Sequence, residues 1–303
     1  MVAQTITVKQ DSTGDYIHIQ NAIDASQDGD TVLVWPGTYY ENLIINDKNI
    51  VLGSLTLTTH DKQYNTQTII DGSTDSATCV AIVYCDDYVE LNGFTICKGW
   101  GFLGTLPAGG GVYFKYSTNA SVKNCIVKNN QTSEYGGGIG INRSKVFLSS
   151  TSVFNNHAFQ SGGGIHILVG ELEFDPINRC NIYLNYSSKG TDIVQLDGLG
   201  EYPPVQVIVD TFTVKTPDYY YLMNGSTFGE VLSYEIKYSK IESVSQDLYV
   251  SPYGNNTNSG LNSAEPLKDI YFALLKMESD SMAPDTIHIA NGIYNMDEGE
   301  KYP

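Results

Sequence analysis

Three glycine triplets, each followed by an aliphatic residue, set the strongest limit on what this chain can become. They are Gly109-Gly110-Gly111-Val112, Gly136-Gly137-Gly138-Ile139 and Gly162-Gly163-Gly164-Ile165, spaced by 27 and 26 residues. Self-similarity at a fixed period of about 20–50 residues marks a repeat architecture. A second ladder keeps step with the first. Gly93-Phe94-Thr95-Ile96, Asn124-Cys125-Ile126-Val127, Thr151-Ser152-Val153-Phe154 and Arg179-Cys180-Asn181-Ile182 lie over one another. Phe94, Cys125, Ser152 and Cys180 then fall in one predicted column, and Ile96, Val127, Phe154 and Ile182 in another. Asn129-Asn130, Asn156 and Asn185 follow in the turn, where His157 is expected to stand in for an asparagine.

A period near 27 fits a coil of three short strands and three turns. Successive coils would stack about 4.8 Å apart, the ordinary interstrand distance. Triple glycine suits a turn that needs positive φ and close backbone approach. Neither an L-x-x-L-x-L pattern nor sustained helical periodicity appears in residues 50–200, which sets leucine-rich and helical repeats aside. The predicted fold is all-β, a right-handed parallel β-helix.

The chain ends add detail. Thr5–Val8 alternates like a strand, and Ile17, Ile19, Ala22, Ile23 and Ala25 follow at near-helical spacing with Asp15 as the expected N-cap. This short helix is expected to cap the open end of the stack, as solenoid ends require. Pro203-Pro204 marks a break. The expected organisation is therefore a β-helix over 1–200, a β-rich connector over 201–246, and a third segment over 247–303. In that last segment Asp285–Tyr294 lies over Asp30–Tyr39. It reads as the start of a second, truncated β-helix module, and a single coil cannot bury its own face.

The net charge is −17, and Arg143 and Arg179 are the only arginines. That excludes nucleic acid, whose phosphates need clustered Lys and Arg, and an anionic membrane surface. A polyuronate would be repelled unless Ca²⁺ bridged it; no cofactor is required otherwise. No apolar run reaches the ~18 residues of a membrane span. The five cysteines, Cys79, Cys85, Cys97, Cys125 and Cys180, show no C-x-x-C pair, and most are expected as small buried hydrophobes. The N-terminus runs straight into a strand, which reads as a mature start after signal-peptide removal and implies a secreted or cell-surface protein.

Residues 4–53 resemble the N-terminal coil of the pectin-lyase-like superfamily, which includes pectate lyases and pectin methylesterases. The triplets resemble the glycine-aliphatic repeats of chlamydial polymorphic outer-membrane proteins. The pattern Leu248-Tyr249-Val250-Ser251-Pro252, Ser259-Gly260, Pro266-Leu267, Gly292-Ile293-Tyr294, Gly299-Glu300 resembles the start of an uncharacterised β-helix module, the DUF1565 type. The combination is similar to multidomain surface proteins of Bacteroidetes-like and Cloacimonetes-like bacteria. The resemblance implies the fold; activity has to be argued from residues.

Gly37-Thr38-Tyr39-Tyr40-Glu41 matches the G-x-Y-x-E start of pectin methylesterases, but their D-F-I-F-G and L-G-R-P-W motifs are absent, as is the G-H-G of polygalacturonases. Neither arginine sits in a lyase-like motif. No catalytic residue is assigned. Asp86, Asp87 and Glu90 are the densest acids near the coils, and calcium takes six to eight oxygen ligands; they are the candidate metal ligands, or a solvated acidic turn. The loop Lys98–Ala108 interrupts the coil period and carries Trp100 and Phe102. These two are the candidate carbohydrate-binding residues, because loops on a rigid scaffold carry binding; the alternative is that they fold back as a lid on the coils. The expected function is a non-catalytic secreted or cell-surface module that binds a polysaccharide or cell-surface glycan. The rival is a polysaccharide lyase or carbohydrate esterase with incomplete motifs.

Overall fold

The computed structural model describes residues 2–103, 106–107, 109–196, 202–217, 232–278 and 284–294, with backbone alone at 102–103 and 106–107. Two compact units divide the chain. One comprises Met1–Phe212 and Tyr221–Tyr238, the other Thr213–Tyr220 and Ser239–Pro303.

The first unit is a right-handed parallel β-helix. Its first sheet stacks seven strands, from Thr5–Val8 through Thr31–Val34, Val51–Ser54, Tyr88–Asn92, Asn119–Lys123 and Lys145–Ser149 to Glu171–Phe174. The second sheet stacks six, from Leu43–Asn46 through Val80–Val83, Val112–Lys115, Ile139–Asn142 and Ile165–Leu168 to Ile193–Leu196. The third begins at Gly37–Tyr40, runs through Ile126–Lys128, Ser152–Phe154 and Cys180–Tyr183, and extends to Gln206–Phe212 and Ser233–Ser239. Residues 206–212 and 233–238, read from sequence as connector, thus belong to a sheet of the solenoid. A fourth, narrow sheet joins Gln131–Thr132, His157–Ser161 and Tyr186–Lys189.

Strand alternation builds the core. In the second sheet Val112 and Phe114 pair with Ile139 and Ile141, then with Ile165 and Ile167, and all six are buried. In the third sheet Ile70, Ile96, Val127, Val153, Ile182 and Phe212 form one buried column. Burying each such side chain contributes about 1.5–3 kcal/mol.

That register corrects one sequence column. Val153, not Phe154, pairs with Val127 and Ile182. Thr151, not Ser152, therefore lies beside Cys125 and Cys180, and the Cys125 N–H donates to Thr151 Oγ1 at 3.4 Å. A one-residue slip turns every side chain of a strand to the other face. Phe154 is accordingly outside, stacked on Tyr183 at 5.1 Å.

The asparagine column is a closed hydrogen-bond ladder. Asn130 Nδ2 donates to Asn156 Oδ1 at 3.0 Å, and Asn156 Nδ2 to Asn185 Oδ1 at 3.0 Å. Asn185 Nδ2 ends on the Asp192 carboxylate at 2.9 Å. All four are buried, and a side-chain oxygen acceptor suits the end of a donor chain. His157 is not part of this column; it lies one residue beyond Asn156.

The glycine triplets form the turn between the fourth and second sheets. Gly136 and Gly162 have φ of +72° and +65°. A Cβ on Gly137 would lie 2.5 Å from the Gly163 carbonyl oxygen, so adjacent coils touch through bare backbone. All five cysteines are free and buried, in keeping with their expected role as small hydrophobes.

The N-terminal helix spans Ile19–Ala25 and buries Ile19, Ala22 and Ile23. Asp15 does not cap it; its carboxylate accepts from Thr7 N and Oγ1 at 2.8 and 2.7 Å. The cap comes from Glu41, which accepts from the N–H groups of Ile19 and Gln20 at 2.9 Å each.

The second unit repeats this opening. Leu248–Val250 pairs in parallel with Ile287–Ile289, and Ile270–Lys276 is helical. Among the described residues Leu248, Val250, Leu267 and Ala273 form a buried cluster, with the half-buried Val244, Ile270, Phe272, Met277, Ile287 and Tyr294 packed against it. Tyr294 OH donates to Ala290 O at 3.0 Å, as Tyr39 OH does to Trp35 O in the first unit, also at 3.0 Å.

Candidate binding pocket and aromatic strip

Trp100 is the first rung of a column beside the asparagine ladder. Gln131 N–H donates to Gly99 O at 2.9 Å, His157 N–H to Asn130 O at 2.9 Å, and Tyr186 N–H to Asn156 O at 2.8 Å. Parallel pairing of this kind places Trp100, Gln131, His157 and Tyr186 on successive coils, and the pairings Gln131–His157 and His157–Tyr186 complete the register. The His157 ring lies 5.0 Å from that of Tyr186 and 4.6 Å from that of Phe159. Trp100 and Phe159 are exposed, His157 half-exposed. The backbone of Phe102 pairs antiparallel with Pro107; its side chain lies outside the described residues.

Around the next corner, on the outer face of the second sheet, is a small pocket of about 50 Å³ lined by Tyr113, Tyr135, Gly140, Asn142, His166 and Leu168, with Ile141. Gly140 pairs with Tyr113 on one side and His166 on the other. Tyr135 stacks on His166 with ring centroids 4.8 Å apart. Asn142 Nδ2 donates to Tyr113 OH at 3.1 Å. His166 is almost wholly buried and its Nε2 has no hydrogen-bond partner. Burial pushes its pKa down to about 4, so the imidazole is neutral at ordinary pH. Tyr113 is pushed up by burial. None of the lining residues is charged.

The acidic residues do not converge. Glu90 is buried on the first sheet, accepting from Lys123 Nζ and Asn92 Nδ2 at 2.7 Å each and from the Tyr88 hydroxyl. Burial alone would raise its pKa; the hydrogen bonds from Lys123, Tyr88 and Asn92 outweigh this and hold it low. Asp87 Oδ1 accepts from the Tyr88 N–H at 2.8 Å. Asp86 is exposed, its carbonyl accepting from Thr118 Oγ1 at 2.8 Å. Among the described residues no three His, Cys, Asp or Glu side chains gather as a metal-ligand set.

The esterase-like motif and both arginines have structural partners. Glu41 caps the helix, and Tyr39 is buried. Arg143 Nη1 donates to Tyr116 OH at 3.3 Å, and Arg179 pairs with Glu235.

No family model matches the chain, and no curated protein does. Solved structures do. Pectin methylesterase from Aspergillus niger, in a penultimately deglycosylated form, is similar at 15% identity and a TM-score of 0.35, over 94% of this chain and 93% of that one. Pectin methylesterase from carrot is similar at 13% identity and a TM-score of 0.38, over 93% and 90%. At these values neither likeness speaks to activity.

Proposed function

We propose that this chain is a glycan-binding, non-catalytic module of a secreted or cell-surface protein. The observation that carries the reading is the strip Trp100–Gln131–His157–Tyr186 with Phe159 beside it. It sets the exposed ring of Trp100, the half-buried amide of Gln131 and the half-buried His157 beside exposed Phe159 on successive coils about 4.8 Å apart, with the Tyr186 ring buried at the strip's end. Aromatic rings offer a large apolar face at low entropic cost, and the amide and imidazole supply hydrogen bonds; that mixture suits a sugar chain, whose rings have apolar faces and hydroxyl edges. A rigid solenoid fixes the spacing in advance, which lowers the ordering cost of binding.

A glycan array tests this. The wild-type protein should bind a defined subset of polysaccharides. Trp100→Ala and His157→Ala should each weaken that binding about tenfold, near 1.4 kcal/mol. Profiles that do not differ between wild type and both variants would overturn the strip. A polyuronate panel with Ca²⁺, followed by the absorbance of unsaturated uronides, tests the lyase alternative directly.

A further inference from the structure

We infer that the Tyr113–Tyr135–Gly140–His166 pocket is a second, separate binding site, for an uncharged sugar edge that carries a hydroxyl or amide group. For the class of ligand the inference rests on the glycan-binding reading; for its location it rests on geometry that the strip does not share.

Three observations support it. First, the outer face holds a small recess beside Gly140; the glycine position itself is filled, since a Cβ there would lie 3.0 Å from the Gly109 backbone and from the Tyr113 ring. On the outer face of the second sheet, Tyr113 and His166 bracket Gly140, which has no side chain. The cavity beside it, about 50 Å³, would hold roughly three to five waters at about 10–15 Å³ each. That is the size of a hydroxymethyl or acetamido substituent, not of a whole ring. Second, its walls are mixed. Leu168 and the rings of Tyr113, Tyr135 and His166 are apolar surfaces, while Asn142 and the imidazole are polar. Third, His166 Nε2 is buried without a partner. A buried polar nitrogen left unpaired destabilises the fold, a cost that a ligand hydrogen bond would remove. A native structure that keeps such a group calls for an explanation.

Charge decides between sugar classes. No lysine or arginine lines the pocket, and the protein carries a net charge of −17. A uronate carboxylate entering there would lose its hydration with no cation to meet it. Neutral hexoses and N-acetylhexosamines meet no such penalty.

The test uses the full chain, with the His166 ring nitrogens followed by NMR. Galactose, glucose, N-acetylglucosamine and galacturonate are titrated separately. At least one neutral sugar should produce a saturable shift of the His166 signals, and galacturonate none. Leu168→Trp, which fills the pocket from an exposed position, should abolish the shift. His166→Phe keeps a ring against Tyr135 and should weaken binding at least tenfold, read through the Tyr135 resonances. No saturable shift with any of the four sugars overturns the site, as does an unaltered response in Leu168→Trp. A galacturonate response equal to the neutral sugars overturns the charge argument and with it the proposed ligand class. Array binding that depends on Trp100, with no pocket shift, removes the pocket and leaves the strip. A saturable pocket shift with a blank array does the reverse.

Discussion

His166 stands on the outer face of a strand and yet is shut away from water, and that places a pH dependence in the fold. Its folded pKa of about 4 lies below the ordinary 6.5. Between those two values the unfolded chain takes up a proton that the folded chain refuses. Stability is therefore complete above about pH 6.5, falls as the pH drops toward 4, and levels off below. The full loss is roughly 3 kcal/mol, at 1.36 kcal/mol per pKa unit. His166→Phe should flatten this part of the profile. Urea midpoints at half-unit steps from pH 4 to 7 measure it; equal slopes in variant and wild type would show that the proton is not excluded. Glu41 makes a second prediction at the same scale. It is the helix cap, through two charge-assisted hydrogen bonds. Glu41→Ala should cost about 1 kcal/mol with the urea m-value unchanged, and should leave array binding as it was. Loss of an esterase activity in that variant, with stability intact, would restore the enzymatic reading of the Gly37–Glu41 motif.

At the scale of elements, the asparagine ladder ties coils together in the way a row of strand bonds does. Asn156 is its centre: its Oδ1 accepts from the N–H and Nδ2 of Asn130, and its Nδ2 donates to Asn185 Oδ1 and Val127 O. Asn156→Ala strands the N–H and one Nδ2 proton of Asn130 and removes the donor to Val127 O, while Asn185 Oδ1 keeps only the backbone N–H of residue 156. At about 1–3 kcal/mol for each stranded group, the loss should be roughly 3 kcal/mol or more. Asn181→Ala, on the outer face of the next coil, should stay within about 0.5 kcal/mol. Thermal denaturation of the pair checks the contrast, and a small effect at Asn156 would mean that water replaces the ladder. The ladder and the glycine turn were legible in the sequence because both recur at the coil period and need one residue type each. The slip at Thr151-Ser152-Val153-Phe154 was not. A threonine and a valine look like weaker core residues than a phenylalanine, and only pairing with the neighbouring coils fixes which face each side chain takes. The Tyr113–Tyr135–His166 pocket was invisible for a different reason. Tyr113, Gly140 and His166 do share the coil period, at 27 and 26 residues, but that column mixes a tyrosine, a glycine and a histidine, and Tyr135 joins it from a turn, so no recurring residue type marks it.

Across the whole molecule, stability should be uneven. In a solenoid each coil is stabilised by its neighbours, so free energy is approximately a sum of coil terms and interface terms. The middle coils of the first unit have partners on both sides; Asn119–Lys123, for example, pairs with Tyr88–Asn92 and with Lys145–Ser149. The second unit has the same strand–helix–strand opening, and its buried core is Leu248, Val250, Leu267 and Ala273. The positions of Ile287–Ile289 correspond to Val32–Val34, yet Ile289 is exposed where Val34 is fully buried. Apolar burial is the main favourable term in folding, and a cluster of this size offsets far less chain entropy than a stack of coils does. The second unit should open first. Native-state hydrogen exchange should give Leu248–Val250 and Ile270–Lys276 opening free energies several kcal/mol below those of Val122, Val127 and Ile141, and chemical denaturation should show two transitions. One cooperative transition, with equal protection at both sets of amides, would mean that the second unit draws stability from beyond its own core.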